Sequence, residues 1–353
     1  MAMATALFTR PADGDRSRRA LRATWALIAL VLGVSAVSLG SGASGVSLPE
    51  VLKGLLAGAD MAPRDRLVLM DIRLPRLGLG LLIGAALGVS GTLMQGLFRN
   101  PLADPGIVGV GSGASLGAVL AIVLGGLLPF AGAHWLVPLA AFFGGWGATL
   151  LLYRVATRQG RTSVATLLLA GIALAALAGA LTGILIFLAD DRQLRDLTLW
   201  NMGSLAGASM AKVAVALPFI LPVLLLAPRL GHGLNALALG EAAARHIGHP
   251  VEHIKTRAIL GVAAATGAAT AVAGGIGFVG IVVPHLLRLA TGPDHRRLLP
   301  NAALLGAALL TGADILARTL VAPAELPIGI ITAVIGAPVF LWILLRQRPL
   351  AEG

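Results

Sequence analysis

Arginines carry the most directed chemistry in this sequence. Arg73 and Arg76 frame the tetrapeptide RLPR, and Arg318 stands just ahead of PAELP at Pro323–Pro327. A guanidinium fork binds a carboxylate through two parallel hydrogen bonds, which suits capture of acidic groups on another protein. The same side chains can snorkel towards lipid headgroups, and spacing alone leaves both readings open. Asp314 is an ionisable group inside an apolar run, a position that suggests function by default in a membrane. It also lies four residues before Arg318, the spacing of an ion pair along one helix face, so a structural pairing competes with a functional one. His285, directly after Pro284, is a polar residue in another apolar run.

No catalytic constellation accompanies these groups. The chain has no cysteine, which excludes a disulfide framework, thiolate metal ligation and a cysteine nucleophile. The phosphate-cradling pattern GxxxxGK[ST] is absent, and the glycine cluster at Gly274–Gly280 lacks its lysine, so the chain is not its own ATPase. A membrane-bound enzyme would need clustered His, Asp or Glu, and none is clustered. An ion-coupled secondary transporter would need intramembrane carboxylates, and Asp314 is nearly alone. His134 and Met202 are of types that can ligate haem iron, but each stands singly and is assigned no ligand role. No metal site or bound cofactor is expected.

Composition dictates what must position these residues. The chain has 353 residues, 57% hydrophobic and 12% charged, against about 25% charged in soluble domains. Too few charges remain to coat a globule, so lipid must solvate much of the exterior. Roughly 20 apolar residues cross a bilayer as a helix. Apolar runs occur near Thr24–Ser44, Leu77–Phe98, Ile107–Leu128, Trp135–Tyr153, Val164–Leu188, Lys212–Ala227, Ala258–Ala273, Phe278–Leu289, Asn301–Leu320 and Ile328–Leu345. The expectation is an all-α polytopic protein of about ten transmembrane helices. It divides into a cytoplasmic N-terminal segment, 1–22, and one transmembrane domain, 23–348. The first run is a retained signal anchor, since its polar, Arg-rich leader is longer than that of a cleaved signal.

The formal net charge of +11 could suggest nucleic acid, but retention of Arg and Lys in cytoplasmic loops accounts for it without such a partner. With the N-terminus inside, about 18 of the 27 basic residues fall on inner segments, and an even number of spans puts both termini in the cytoplasm. The longest polar interruption is Gly233–Arg257. There Leu237, Leu239, Ala243, Ala244 and Ile247 recur at helical spacing around Glu241, Arg245 and His246, the pattern of short amphipathic helices at the membrane surface. Such helices could carry force from a partner, or form a structured loop with none. Between the second and third runs, Asn100-Pro101 and Asp104-Pro105 forbid a continuous helix. Broken backbone of this kind suits either a gate or an ordinary turn.

Several long strings together resemble the FecCD family of ABC-importer permeases. They include RLPR, GAALGVSGTLMQGLFRNPLADPGIVGVGSGASLGA, LLLAGIALAALAGAL, LWNMGSLAGAS, LNALALGEAAARHIG, GGIGFVGIVVPHLLRLATGPDHRRLLP and ADILARTLVAPAELPIGIITAVIGAPVFLWILL. The resemblance spans about Arg73 to Leu345, with the motifs in the family's order. It implies the type II ABC importer permease fold, working as a homodimer with two ATP-binding subunits and a periplasmic substrate-binding protein. It also implies a multi-pass location in the bacterial inner membrane, with ATP bound by the partner subunit.

Carried over residue by residue, the resemblance gives Arg73, Arg76 and Arg318 the docking of the binding protein. Leu239, Gly240, Glu241, Ala244 and Gly248 fall in the coupling helices, at about 233–257, that meet the ATPase. Asn100 and Leu102 match a cytoplasmic gate. The fifth span matches the helix that lines the pathway, with Leu168, Ile172 and Leu177 on it. Thr162-Ser163 is offset from the place of the family's second gate and is not assigned. Substrates implied by the family are haem, ferric siderophores and cobalamin. LVAPAELPIGIITAVIGAPVFLWILL and GPDHRRLLPNAALLGA look most like the haem branch, so haem is the expected substrate, with a ferric siderophore or cobalamin as alternatives.

Overall fold

A computed structural model of the chain describes residues 17–42, 62–127 and 133–346. Arg10, Arg16, Lys53 and Arg348, which entered the charge count, and most of the 1–22 segment lie outside them. The described chain is helical throughout except for one two-residue hairpin, β1 (Thr157–Arg158) and β2 (Arg161–Thr162). The helices in order are α1 (Ser17–Gly40), α2 (Pro63–Phe98), α3 (Val110–Leu124), α4 (Ala133–Ala156), α5 (Val164–Leu188), α6 (Asp191–Met202) and α7 (Met210–Leu226). They continue as α8 (Gly231–Ala238), α9 (Glu241–His246), α10 (Val251–Ala273), α11 (Val279–Thr291), α12 (His295–Thr319) and α13 (Ile328–Arg346).

Seven of these elements are long and apolar enough to cross a bilayer: α1, α2, α4, α5, α7 with its continuation into α8, α10 and α12. The shorter apolar helices α3, α11 and α13 bring the number among the described residues to ten, as the apolar runs anticipate. The expected fifth span, Val164–Leu188, matches α5 residue for residue. Several spans begin earlier than hydropathy indicates, α2 and α10 among them. α2 starts at Pro63 rather than Leu77 and α10 at Val251 rather than Ala258; Arg73 and Arg76 in α2, and Glu252 and Lys255 in α10, are charges that face other groups of this chain.

α2 is the axis of the bundle. Close helix approach in a membrane needs small side chains at the crossing, since lipid supplies no hydrophobic drive between helices. A Cβ built on Gly84 would lie 2.3 Å from the Gly306 carbonyl oxygen, and one on Gly88 2.3 Å from that of Ala302. α2 and α12 therefore touch backbone to backbone. They run antiparallel, with Arg76 beside Asp314 at one end and Gly96 beside His295 at the other. α1 lies along α12 in parallel: Thr24 Oγ1 donates to Asn301 Oδ1 at 2.7 Å, and Ser38 meets Arg318. The bundle thus has an arginine end and an opposite end, which holds α8, α9 and the start of α1.

Candidate functional site

At the arginine end, α2 contains a π-helical stretch, Val68–Arg73, closed by a bond from the Leu74 amide to the Leu69 carbonyl. Pro75 follows within two residues, and its ring cannot donate to the carbonyl four residues back. The wide turn thus precedes the proline and sets the direction of Arg73 and Arg76. Both are buried, as is Arg318, and Asp314 is 1% exposed. Arg76 Nε lies 2.8 Å from Asp314 Oδ1 and 3.0 Å from Oδ2, and its Nη1 donates to Glu325 Oε1 at 2.9 Å. Arg318 Nη2 donates to the Ser38 carbonyl at 2.7 Å and to its hydroxyl at 2.9 Å, with Nη1 on the Ser41 carbonyl at 3.0 Å. Arg73 donates to the Leu39 carbonyl.

The guanidinium groups of Arg76 and Arg318 already bind groups of this chain, so an acidic partner would meet them engaged rather than as free forks. The reason is energetic: Asp314 sits where an unpaired carboxylate would be costly, and the arginines neutralise it. The i, i+4 pair of Asp314 with Arg318 is present at 3.5 Å, but Arg76 is the nearer cation. Glu325 is the half-exposed member of the cluster.

The opposite end holds the residues expected to couple to an ATPase, Leu239 to Gly248. Gly240 (φ +105°) and Gly248 (φ +86°) adopt backbone conformations that favour glycine, and they bracket the six-residue α9. Glu241 opens this helix and Arg245 and His246 close it, which complements the helix dipole. Leu239 is 73% exposed and Ile247 is likewise outward, so two apolar side chains project beside α9. Ala244 faces the other way: it is fully buried in the core beneath α9, an internal spacer rather than a contact surface. The expected coupling region of about 233–257 comprises most of α8, all of α9 and the first turns of α10.

α8 is fastened to α12 by Asn235, whose Nδ2 donates to Asp294 Oδ1 at 2.7 Å while its Oδ1 accepts the His295 amide at 2.9 Å. Hydrogen bonds from Arg296, then from Asn235, hold the Asp294 carboxyl below the usual carboxylate range.

Asn100 and Leu102, the residues expected to form a gate, lie next to this region. α2 ends on Arg99 in a left-handed conformation (φ 51°), and the exposed Asn100 Oδ1 accepts the Leu102 amide at 2.9 Å. Leu102 is half-buried. The Arg99 guanidinium lies 3.8 Å from where a Gly240 Cβ would be, so the gate turn and the coupling loop are neighbours.

α5 stands at the edge of the bundle. Leu167, Gly171, Ala178 and Leu185 form its buried stripe, while Ile172 is 69% exposed and Leu177 57% exposed on the uncovered face. Leu168 is half-buried. A Cβ on Gly171 would lie 2.5 Å from the Ile107 carbonyl, which seats α5 on the segment that follows the gate turn.

Sequence reasoning missed three features. α6 (DRQLRDLTLWNM) reads as a polar loop, yet it is a helix with a capping box between Asp190 and Gln193, and Met202 closes it. The Asp-x-x-Gln spacing was the available signal. The break expected at Asp104-Pro105 is present, and the second feature is that it meets another at Gly274–Phe278 inside the bundle, where a Gly280 Cβ would lie 2.8 Å from Pro105 Cδ. A cavity of about 330 Å³ opens there, lined by Asp104, Asn201, Thr266 and Thr270 among others, and bears out the rule that broken helices at depth line a cavity or protein. The third feature is a buried polar node around Lys255. Among the described residues no group of three or more His, Asp or Glu gathers to hold a metal.

Comparison with known proteins adds to this geometry. The FecCD transport family matches residues 28–346. The chain is 50% identical over 284 residues to the hemin transport system permease protein HmuU of Yersinia pestis, covering 80% of this chain and 85% of that one. It is 42% identical over 335 residues to the vitamin B12 import system permease protein BtuC of Shigella boydii, covering 95% and 98%. An inward-facing structure described as a metal-chelate type ABC transporter superposes with a TM-score of 0.81 at 31% identity, covering 93% of this chain and all of that one. PsaBC from Streptococcus pneumoniae shares the fold at a TM-score of 0.53 and 17% identity, covering 81% and 95%.

Proposed function

Because the chain belongs to the FecCD transport family, and is thus a non-catalytic permease of an ABC importer, we propose that it carries haem across the bacterial inner membrane. It does so as a homodimer, with both termini cytoplasmic. Two ATP-binding subunits seat on α9 through Leu239 and Ile247, and a periplasmic binding protein delivers the substrate to the arginine end. The observation that carries the reading is the bare apolar face of α5. Two copies related by a two-fold axis would bring Ile172 and Leu177 around a wide passage with weak, mostly apolar contacts, suited to a large amphipathic ligand that must be released. Haem ranks ahead of cobalamin because 50% identity to a hemin permease exceeds 42% to a B12 permease.

Docking at the arginine end works by partner exchange. A carboxylate of the binding protein replaces Glu325 on Arg76, while Arg73 and Arg318 hold the platform. Asn100 and Leu102 close the cytoplasmic mouth beside α9.

The test is uptake into proteoliposomes containing this chain, its ATP-binding subunit and haem-loaded or cobalamin-loaded binding protein. Haem-loaded protein is expected to stimulate ATP hydrolysis and drive haem uptake. Stimulation and uptake with cobalamin alone would overturn the substrate, and uptake without the ATP-binding subunit would overturn the mechanism. The pathway is checked separately. Ile172→Trp with Leu177→Trp is expected to cut haem uptake by about tenfold through narrowing of the passage, read as initial uptake rate.

A further inference from the structure

Lys255 is the bulkiest of the fully buried side chains, at 2% exposure. A buried ammonium is costly unless all its protons find acceptors. Here the acceptors come from three separate elements. Nζ lies 2.7 Å from the Thr162 carbonyl on β2, 2.8 Å from Glu241 Oε1 on α9, and 3.5 Å from Glu252 Oε1 on α10. Glu252 Oε2 accepts the Thr162 amide at 2.9 Å, so both backbone groups of Thr162 are held by α10. Arg245 of α9 completes the node, with Nη2 2.8 Å from Glu252 Oε1.

Thr162 directly precedes Ser163, the N-cap of α5, whose hydroxyl accepts the Thr166 amide. A displacement of Thr162 is therefore a displacement of the start of α5. α9, bracketed by two positive-φ glycines, is joined through Glu241 and Lys255 to that same point. We propose that Lys255 is the positioning residue that transmits movement of α9 to the N-terminus of α5, and so couples the partner's power stroke to the pathway helix. The inference rests on the reading that α9 meets the ATP-binding subunit.

An apolar staple would hold the fold more cheaply, since well-packed hydrophobic groups often match or exceed a buried ion pair in stability. What the ammonium adds is a directional link with fixed partners on moving parts. Thr162 engages through its backbone, so the link does not depend on its side chain.

The chain is free of cysteine, so it adds no background to single labels placed in it. In the full transporter in lipid nanodiscs, spin labels go on Ala165→Cys at the exposed start of α5 or on Ala242→Cys on α9, and distances are measured between the two copies. With Lys255 present, ATP is expected to shift both distances. In Lys255→Met the Ala242 distance still shifts and the Ala165 distance does not. Haem uptake per ATP hydrolysed falls about tenfold, an ordinary size for a lost coupling, and Lys255→Arg recovers most of it.

A shift at Ala165 that survives in Lys255→Met, with uptake per ATP unchanged, overturns the proposal. So does an α5 label that never moves in the parent. If Lys255→Met does not assemble, Glu252→Gln takes the same label measurement with the same criteria. A parent complex that neither assembles nor hydrolyses ATP would refute the proposed function instead, so the two failures are distinct.

Discussion

Asp314→Leu is expected to lower the stability of the chain by about 3–5 kcal/mol, since it leaves the buried cations without their shared anion. Arg76 loses its 2.8 Å partner, and Arg318 loses its i, i+4 partner within the same buried pocket. The double variant Arg76→Met, Asp314→Leu removes the pair together and is expected to recover most of the loss, because apolar groups of similar volume replace it. SDS-driven unfolding followed by circular dichroism measures both. An Asp314→Leu chain as stable as the parent would show that the cluster does not hold α2 to α12. The cycle also bears on function. If the double variant folds but no longer binds the periplasmic protein, Arg76 has a docking role beyond its internal one.

The second large effect concerns the crossing of α2 and α12. Gly84→Leu must place a side chain where a Cβ alone would already stand 2.3 Å from the Gly306 carbonyl oxygen. Backbone cannot yield there as a flexible side chain could, so the helices must separate. A loss of about 3 kcal/mol or more is expected, at the upper end of overpacking costs. Gly33→Leu is the control: nothing lies within 4 Å of its Cβ position on α1, so the same change is expected to be tolerated. Thermal unfolding in detergent compares them, and equal stability of the two variants would refute the crossing.

The sequence made much of this architecture legible, for physical reasons specific to each part. α5 was readable to the residue because both its ends are sharp: Ser163 caps it and Ala189–Asp190 breaks it, with no charge between. α2 and α10 were truncated in the reading because Arg73, Arg76, Glu252 and Lys255 look like loop charges. Hydropathy scores a charge by its cost in lipid, whereas each of these faces a partner inside the protein. α6 escaped for the related reason that its side chains are polar. The arginine cluster is visible as a set, but which way its forks face depends on groups distant in sequence: Asp314 and Glu325 for Arg76, and Ser38 and Ser41 for Arg318. Ala244 shows the limit of helical periodicity: spacing identified a face of α9 but not which face a partner would meet. The family resemblance supplied roles for residues, and the packing supplied their neighbours.

The pairing of the first helix with a late one constrains how the protein is made. Two polar partners of α1, Asn301 and Arg318, lie 277 to 280 residues downstream. At ribosomal speed that interval is on the order of tens of seconds. During it Thr24 and Ser35 have carbonyls of their own preceding turn within reach, at 3.0 and 2.7 Å. Arg73 of α2 already reaches the Leu39 carbonyl of α1, so the late arrival of α12 completes a clasp that α2 begins.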